Sequence, residues 1–207
     1  SKTCSLWEDE PLIQRQQTIR PMLPVSMITP HAHRVERIQI QQLSETAFQD
    51  LKEGAVSLLQ QFDLEVQDLE VWSRTGQRPT LYIKHKTFGL APLSSFGDGM
   101  RRALLMATII SLRRDGVLLI DELETAIHTQ LLHHVFRWLI RACVENNIQL
   151  FTTTHSLEAV DTILEVSDTT DLVSYRLQQR DVETTAKRFD KDLLTRLRED
   201  LGREVRW

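Results

Sequence analysis

Three short segments of this 207-residue chain carry side chains that could do chemistry together. The first is Leu93-Ser94-Ser95-Phe96-Gly97-Asp98-Gly99-Met100-Arg101-Arg102, the second Val117-Leu118-Leu119-Ile120-Asp121-Glu122, the third Leu150-Phe151-Thr152-Thr153-Thr154-His155-Ser156. Four apolar residues followed by Asp121 and Glu122 place two carboxylates at the carboxyl end of a buried strand. In an open α/β sheet that end faces the ligand crevice. One carboxylate there can hold Mg²⁺ through its water shell, and the next can act as base on an attacking water. The plainer alternative is a strand that ends in a solvated acidic turn. Ser94, Ser95, Gly97 and Gly99, running into a helix, put hydroxyls and backbone N–H groups at a positive helix end, a ready anion site. The alternative is a Ser-rich cap whose glycines only shape a turn. His155 follows an apolar strand, where its ring can hydrogen-bond a terminal phosphate oxygen; the alternative is a satisfied or exposed histidine.

The elements that must position these groups follow from apolar spacing. Gly97 to Arg114 reads as a helix with Met100, Leu104, Ala107, Ile110 and Ser111 on one side. Val117 to Ile120 is a short apolar run of the kind buried on both faces in a parallel sheet. Thr129 to Asn146 is the strongest helix, with Leu131, Val135, Leu139 and Cys143 in one row and Leu132, Phe136, Ile140 and Val144 in the next. Ile148 to Thr153 reads as another buried strand. Ser156 to Leu164 is a helix with Ser156 as N-cap, Leu172 to Leu177 a strand, and Lys191 to Leu201 a final helix. Strand and helix alternate, which favours a three-layer α/β architecture. Upstream, Thr46 to Gln61 is helical, with Thr46 and Gln49 placed for a capping box. Residues 64–72 and 80–84 read as two strands joined through Ser73 to Pro79. Residues 1–42, punctuated by Pro11, Pro21, Pro24 and Pro30, read as irregular. The expected organisation is thus an irregular segment over 1–42, a helix with a strand pair over 43–90, and the chemistry-bearing unit over 91–207.

Composition bounds the rest. The apolar fraction of 41% and the net charge of −4 exclude a disordered chain. No apolar run approaches the roughly 20 residues that span a bilayer, and the mixed, acidic start does not read as a signal peptide. Cys4 and Cys143 cannot form a disulfide framework, which points to a reduced, cytoplasmic setting. The basic residues are 19 Arg and 6 Lys, interleaved with acids, so charge alone does not demand nucleic acid. His128, His133 and His134 invite a metal reading. However, adjacent helix positions diverge by about 100°, and a solvated face is the preferred reading. Trp7, Trp72, Trp138 and Trp207 are scattered and suggest packing or interface roles.

Taken together and in order, the three segments resemble the C-terminal part of an ABC-type ATPase domain of the RecF/SMC-like kind. The branch is that of AAA family proteins grouped with the OLD (overcoming lysogenization defect) ATPases and abortive-infection ATPases. The resemblance runs from about Pro92 to Leu164 and more faintly into the tail. It implies a three-layer P-loop NTPase-like core with a mainly parallel sheet. Leu93 to Gly99 is similar to the signature motif, departing from the transporter form Leu-Ser-Gly-Gly-Gln, and implies nucleotide contacts in trans from Ser94, Ser95, Gly97 and Gly99. Leu118 to Glu122 resembles the Walker B strand, with Asp121 positioning Mg²⁺ and Glu122 as catalytic base. Glu124 and Ile127-His128 resemble the D-loop region, implying a dimer role for Glu124 and His128, and His155 resembles the switch histidine that senses the γ-phosphate. The cofactors implied are ATP and Mg²⁺. The partner implied is a second copy or larger homo-oligomer joined through the nucleotide, with DNA and a nuclease or effector as further partners, in DNA repair or antiphage defence.

One expected part is absent from the sequence. A phosphate loop needs G-x-x-x-x-G-K-[ST], but Lys precedes Ser or Thr only at Lys2-Thr3 and Lys86-Thr87, neither with the glycines ahead of it. The chain therefore reads as a fold whose N-terminal part is missing, holding one side of a shared site. The alternative is a degenerate, non-catalytic interaction module on the same scaffold. The presence of Asp121, Glu122 and His155 argues against decay.

Overall fold

A computed structural model describes residues 23–35, 45–72, 80–167, 171–180 and 183–199. Among the described residues three parallel strands form the central sheet: β1 (Val25–Ile28), which is followed by the one-turn helix α1 (Ala32–Val35), β5 (Val117–Ile120) and β6 (Gln149–Thr152), in the order β1-β5-β6. Their register aligns Val25 with Val117 and Gln149, and Ile28 with Ile120 and Thr152. One face of this sheet, through Ile28, Leu118 and Ile120, enters the larger of two cores. Met106 and Ile110 of α3 (Asp98–Leu112), Val135, Phe136 and Leu139 of α4 (Thr129–Glu145) and Ala159 of α5 (Leu157–Val166) meet it there. On the opposite face Val25, Met27 and Phe151 are each more than half exposed, and a layer covering them is not among the described residues.

The second core joins α2 (Glu45–Leu59) to an antiparallel sheet of β2 (Val66–Trp72), β3 (Thr80–His85) and β4 (Gly89–Pro92). Ala55, Leu59, Leu69 and Ile83 close on Met100, Leu104 and Ala107 of α3. Helix α3 therefore lies in both cores, which is why nine of its residues are buried, among them one charged residue, Arg102. Beyond α5 an antiparallel ribbon of β7 (Val173–Arg180) and β8 (Glu183–Asp190) leads into α6 (Lys191–Glu199). Asp161 of α5 accepts Arg198 Nε and Nη2, both at 2.6 Å, and fastens α6 to α5. No helix among the described residues is long and apolar enough to cross a membrane.

Local chemistry sets the helix ends. The Ser156 hydroxyl accepts Ala159 N–H at 3.2 Å, as the N-cap reading of Ser156 expects. Helix α4 ends in a Schellman arrangement: Ile148 N–H donates to the Cys143 carbonyl (2.8 Å) and Asn147 N–H to that of Val144 (3.1 Å), with Asn147 at φ 52°. Cys143 packs beneath that turn, and burial pushes its thiol up to about 12.

Several expectations are corrected. The irregular reading of 1–42 fails at Val25–Ile28, which is a strand of the parallel sheet. Its partner, β5, is distant in sequence, and the flanking Pro24 and Pro30 are tolerated at strand ends, so no local pattern announced it. The Ile148 to Thr153 strand is present as β6, but it is not buried: Phe151 is 51% exposed. The boundary placed at residue 90 falls inside β4, whose Gly-Leu-Ala-Pro sequence carries no strand signature. The Thr46–Gln49 capping pair, the Ser73–Pro79 turn, Cys4, Trp7, Trp207 and the Lys2-Thr3 pair lie outside the described side chains.

Candidate functional site

The carboxyl ends of β5 and β6 are knitted together by short-range hydrogen bonds. Asp121 follows β5, and its Oδ1 accepts the Thr153 hydroxyl at 2.6 Å. The same Thr153 oxygen accepts the Glu122 N–H at 2.9 Å. Leu123 N–H donates to the Thr153 carbonyl (3.0 Å), and Thr153 N–H to that of Ile120 (3.0 Å). Glu124 Oε1 accepts the His155 N–H at 3.1 Å. The loop after β5 thus rests on the residues after β6, and three carboxylates and a histidine share one sheet end.

Glu122 itself is conformationally unusual. Its φ is 49°, in the left-handed region that costs a non-glycine residue free energy. Thr125 Oγ1 donates to Glu122 Oε2 at 3.0 Å, which holds the carboxylate over the loop. Ala126 is also left-handed, at φ 65°. His128 caps α4, its Nδ1 accepting Gln130 N–H at 3.3 Å. His133 meets Arg137 Nη2 through Nε2 at 3.1 Å, so it is engaged within its own helix.

Beneath the loop lies a buried cation. Arg102 is 0% exposed. Its Nη1 donates to the carbonyls of Thr29 (3.0 Å) and Pro30 (3.1 Å), and its Nη2 to those of Asp121 (3.1 Å) and Glu122 (2.8 Å). Burial lowers the affinity of this guanidinium for its proton, and the charges of Glu124, Glu122 and Asp121 act to restore it. Neither Arg102 nor Thr153 stands out by residue type or spacing in the sequence. The available signal was an arginine one helical turn from buried Met106, on an apolar stripe.

The Ser-Ser-x-Gly-x-Gly segment sits beside this loop. Ser94 and Ser95 are exposed on a 3₁₀ turn (Leu93–Ser95), and Gly97 caps α3. Asp98 accepts Arg34 Nη2 at 2.6 Å and Arg101 Nη1 at 3.1 Å, and the Arg34 hydrogen bond holds its carboxyl below the usual range. Next to it His33 is buried, and desolvation lowers its pKa. Gly99 lies against the Asp121–Ile127 loop: a Cβ there would stand 2.8 Å from the Ala126 carbonyl and 3.0 Å from the Phe62 ring. Around Gly97 a Cβ would meet nothing within 4 Å. Gly99→Ala is therefore expected to lower the melting temperature by several degrees while Gly97→Ala leaves it within about 2 °C. Thermal unfolding of the two variants checks this, and equal melting temperatures would contradict the close approach.

The structure thus brings Asp121, Glu122, Glu124, His155 and Gly99 together. Among the described residues no hydrogen bond joins Ser94, Ser95 or Gly97 to the carboxylates, and His128 caps its own helix. The donor set suits Mg²⁺: it offers carboxylate oxygens, and this ion is commonly held by one or two carboxylates plus substrate phosphates and water. No group of three His, Cys, Asp or Glu forms an all-protein metal cage among the described residues.

Residues 17–161 match the family model described as "AAA domain, putative AbiEii toxin, Type IV TA system". Over 69 residues the chain is 41% identical to "Uncharacterized protein MJECL11" of Methanocaldococcus jannaschii, covering 33% of this chain; it spans 60% of the length of that curated relative. In fold it is similar to a structure reported under "Structural biochemistry of ATP-driven dimerization and DNA stimulated activation of SMC ATPases". The TM-score is 0.54 at 9% identity, over 81% of this chain and 99% of that one. It is also similar to the Smc head domain with an extended coiled coil bound to the C-terminal domain of ScpA from Pyrococcus furiosus. There the TM-score is 0.52 at 10% identity, over 75% of this chain and 38% of that one. These likenesses identify the α/β core as P-loop NTPase-like, in agreement with the fold expected from the three segments.

Proposed function

The chain belongs to this AAA-domain family, and from that premise we propose that it carries one part of an ATP-hydrolysing site completed across a dimer. The observation that carries the reading is the convergence of Asp121, Glu122, Glu124 and His155 at one sheet end, against Gly99 in the first turn of α3. Asp121 would hold Mg²⁺, which supplies charge neutralisation at the phosphates. Glu122, at the lip of the loop, accepts the proton of the water that attacks the γ-phosphate. His155 hydrogen-bonds a γ-phosphate oxygen through its ring. Ser94, Ser95 and Gly97, exposed and away from their own carboxylates, offer hydroxyl and N–H donors to the nucleotide of a second copy. Glu124 and His128 lie on the loop that faces that copy.

The 207 residues contain no G-x-x-x-x-G-K-[ST] loop. The lysine and glycine N–H groups that cradle phosphates therefore come, in this reading, from another segment or chain. The open face of the central sheet, with Val25, Met27 and Phe151 exposed, supports a further layer joining there. ATP-driven dimerisation and DNA-stimulated activation, named for the SMC relative, support a homodimeric switch acting on DNA or on a nuclease or effector. The family description names a putative toxin of a type IV TA system, and the settings this reading takes up are antiphage defence and DNA repair. In such a site the phosphate release rate per protomer should rise with protein concentration, as composite sites form. A rate per protomer in the full-length protein that is independent of concentration, with the protein monomeric in ATP, would remove the shared-site reading.

A further inference from the structure

Arg102 is the buried charged residue of a helix that packs into two cores, and the structure shows what it does there. Its two Nη atoms reach four carbonyls on two different strand exits: Thr29 and Pro30 after β1, Asp121 and Glu122 after β5. Carbonyls at the ends of buried strands need partners, but stability alone does not explain which ones are chosen. The shortest bond, 2.8 Å, goes to the carbonyl of Glu122, the residue held at φ 49°. On the other side of the same residue the N–H is held by Thr153 Oγ1 at 2.9 Å. Glu122 is thus clamped at both its N–H and its C=O, in a conformation it would leave if released. The Arg102 guanidinium also lies in the field of Asp121, Glu122 and Glu124.

We infer that Arg102 is a positioning residue for the hydrolytic step: it fixes the backbone from which the Glu122 carboxylate is presented, and it ties that backbone to α3. The inference rests on the ATPase reading above and adds a residue to it. Because Arg102 sits one turn into α3, the helix capped by Gly97, movement of that helix pulls on the Glu122 carbonyl directly. A lysine keeps the charge, but as a single ammonium it cannot span both strand exits, whereas the planar fork of arginine does.

The test uses the full-length protein with Arg102→Lys and Arg102→Met, measuring kcat and KM for ATP per folded molecule, with the folded fraction taken from thermal melts. Arg102→Lys is expected to lower kcat about 10- to 100-fold with KM changed less than about 3-fold. In a Glu122→Gln background the same substitution should cost almost nothing further, since the group it positions is already gone. An unmodified protein without ATPase activity overturns the ATPase reading and this inference with it. A hydrolysing protein whose Arg102→Lys form keeps wild-type kcat overturns this inference alone. So does a loss confined to KM, or both variants failing to fold, which would make the arginine a structural support only.

Discussion

Glu122→Gln in the full-length protein should reduce ATP hydrolysis by about 10²–10⁴-fold, the range that a positioned general base supplies, equivalent to about 3–5 kcal/mol on the barrier. The substitution keeps the shape of the side chain and removes only its ability to take a proton. The Thr125 hydroxyl that now donates to Glu122 Oε2 can donate to the amide oxygen instead. The left-handed backbone is held by Thr153 and Arg102 through main-chain atoms, so it should persist, and the melting temperature should stay within about 2 °C. Binding of nucleotide uses other groups, so the variant should accumulate as an ATP-bound dimer. Phosphate release, together with size-exclusion chromatography in Mg-ATP, reads both. Hydrolysis at the wild-type rate would remove Glu122 as the base.

Phe136→Ala should destabilise the fold by about 3–5 kcal/mol, the range for emptying a buried aromatic site, and lower the melting temperature by about 6–20 °C. Phe136 is fully buried in the larger core, in one cluster with residues of the central sheet and of α3, so the surroundings have little room to collapse into the space. Val144, in the same sequence row two turns on, is 64% exposed, and Val144→Ala should cost less than about 0.5 kcal/mol. The contrast separates the packed part of α4 from its projecting end. Equal losses for the two variants would mean that the core is not where the structure puts it.

The periodic elements were legible in the sequence because their signals are local. The apolar rows of α4, the apolar side of α3 and the Ser156 cap all declare themselves within a few turns, whereas the sharing of α3 between two cores does not. Strand β1 did not, since its pairing with β5 is long-range and its prolines mimic a loop. The exposure of Phe151 was equally hidden, because an apolar strand reads the same whether its second face is covered or open. At the site, the residue types of Asp121, Glu122 and His155 and their order were readable, but their geometry was not. Nothing in a glutamate announces a left-handed backbone, and the four acceptors of Arg102 are main-chain carbonyls that leave no trace in residue identity. For Gly99 the family resemblance implies a nucleotide contact in trans. The structure supplies another reason for glycine there, its approach to the Ala126 carbonyl, whereas no neighbour within the chain demands a glycine at Gly97.

The most direct test of a shared site is calorimetric titration of the 207-residue chain alone with Mg-ATP. Carboxylates, signature-like serines and a histidine without a phosphate loop should give no binding tighter than a Kd of about 100 µM, with affinity appearing once the phosphate-loop segment is supplied. Saturable, stoichiometric binding at low micromolar Kd by the monomeric chain would contradict it.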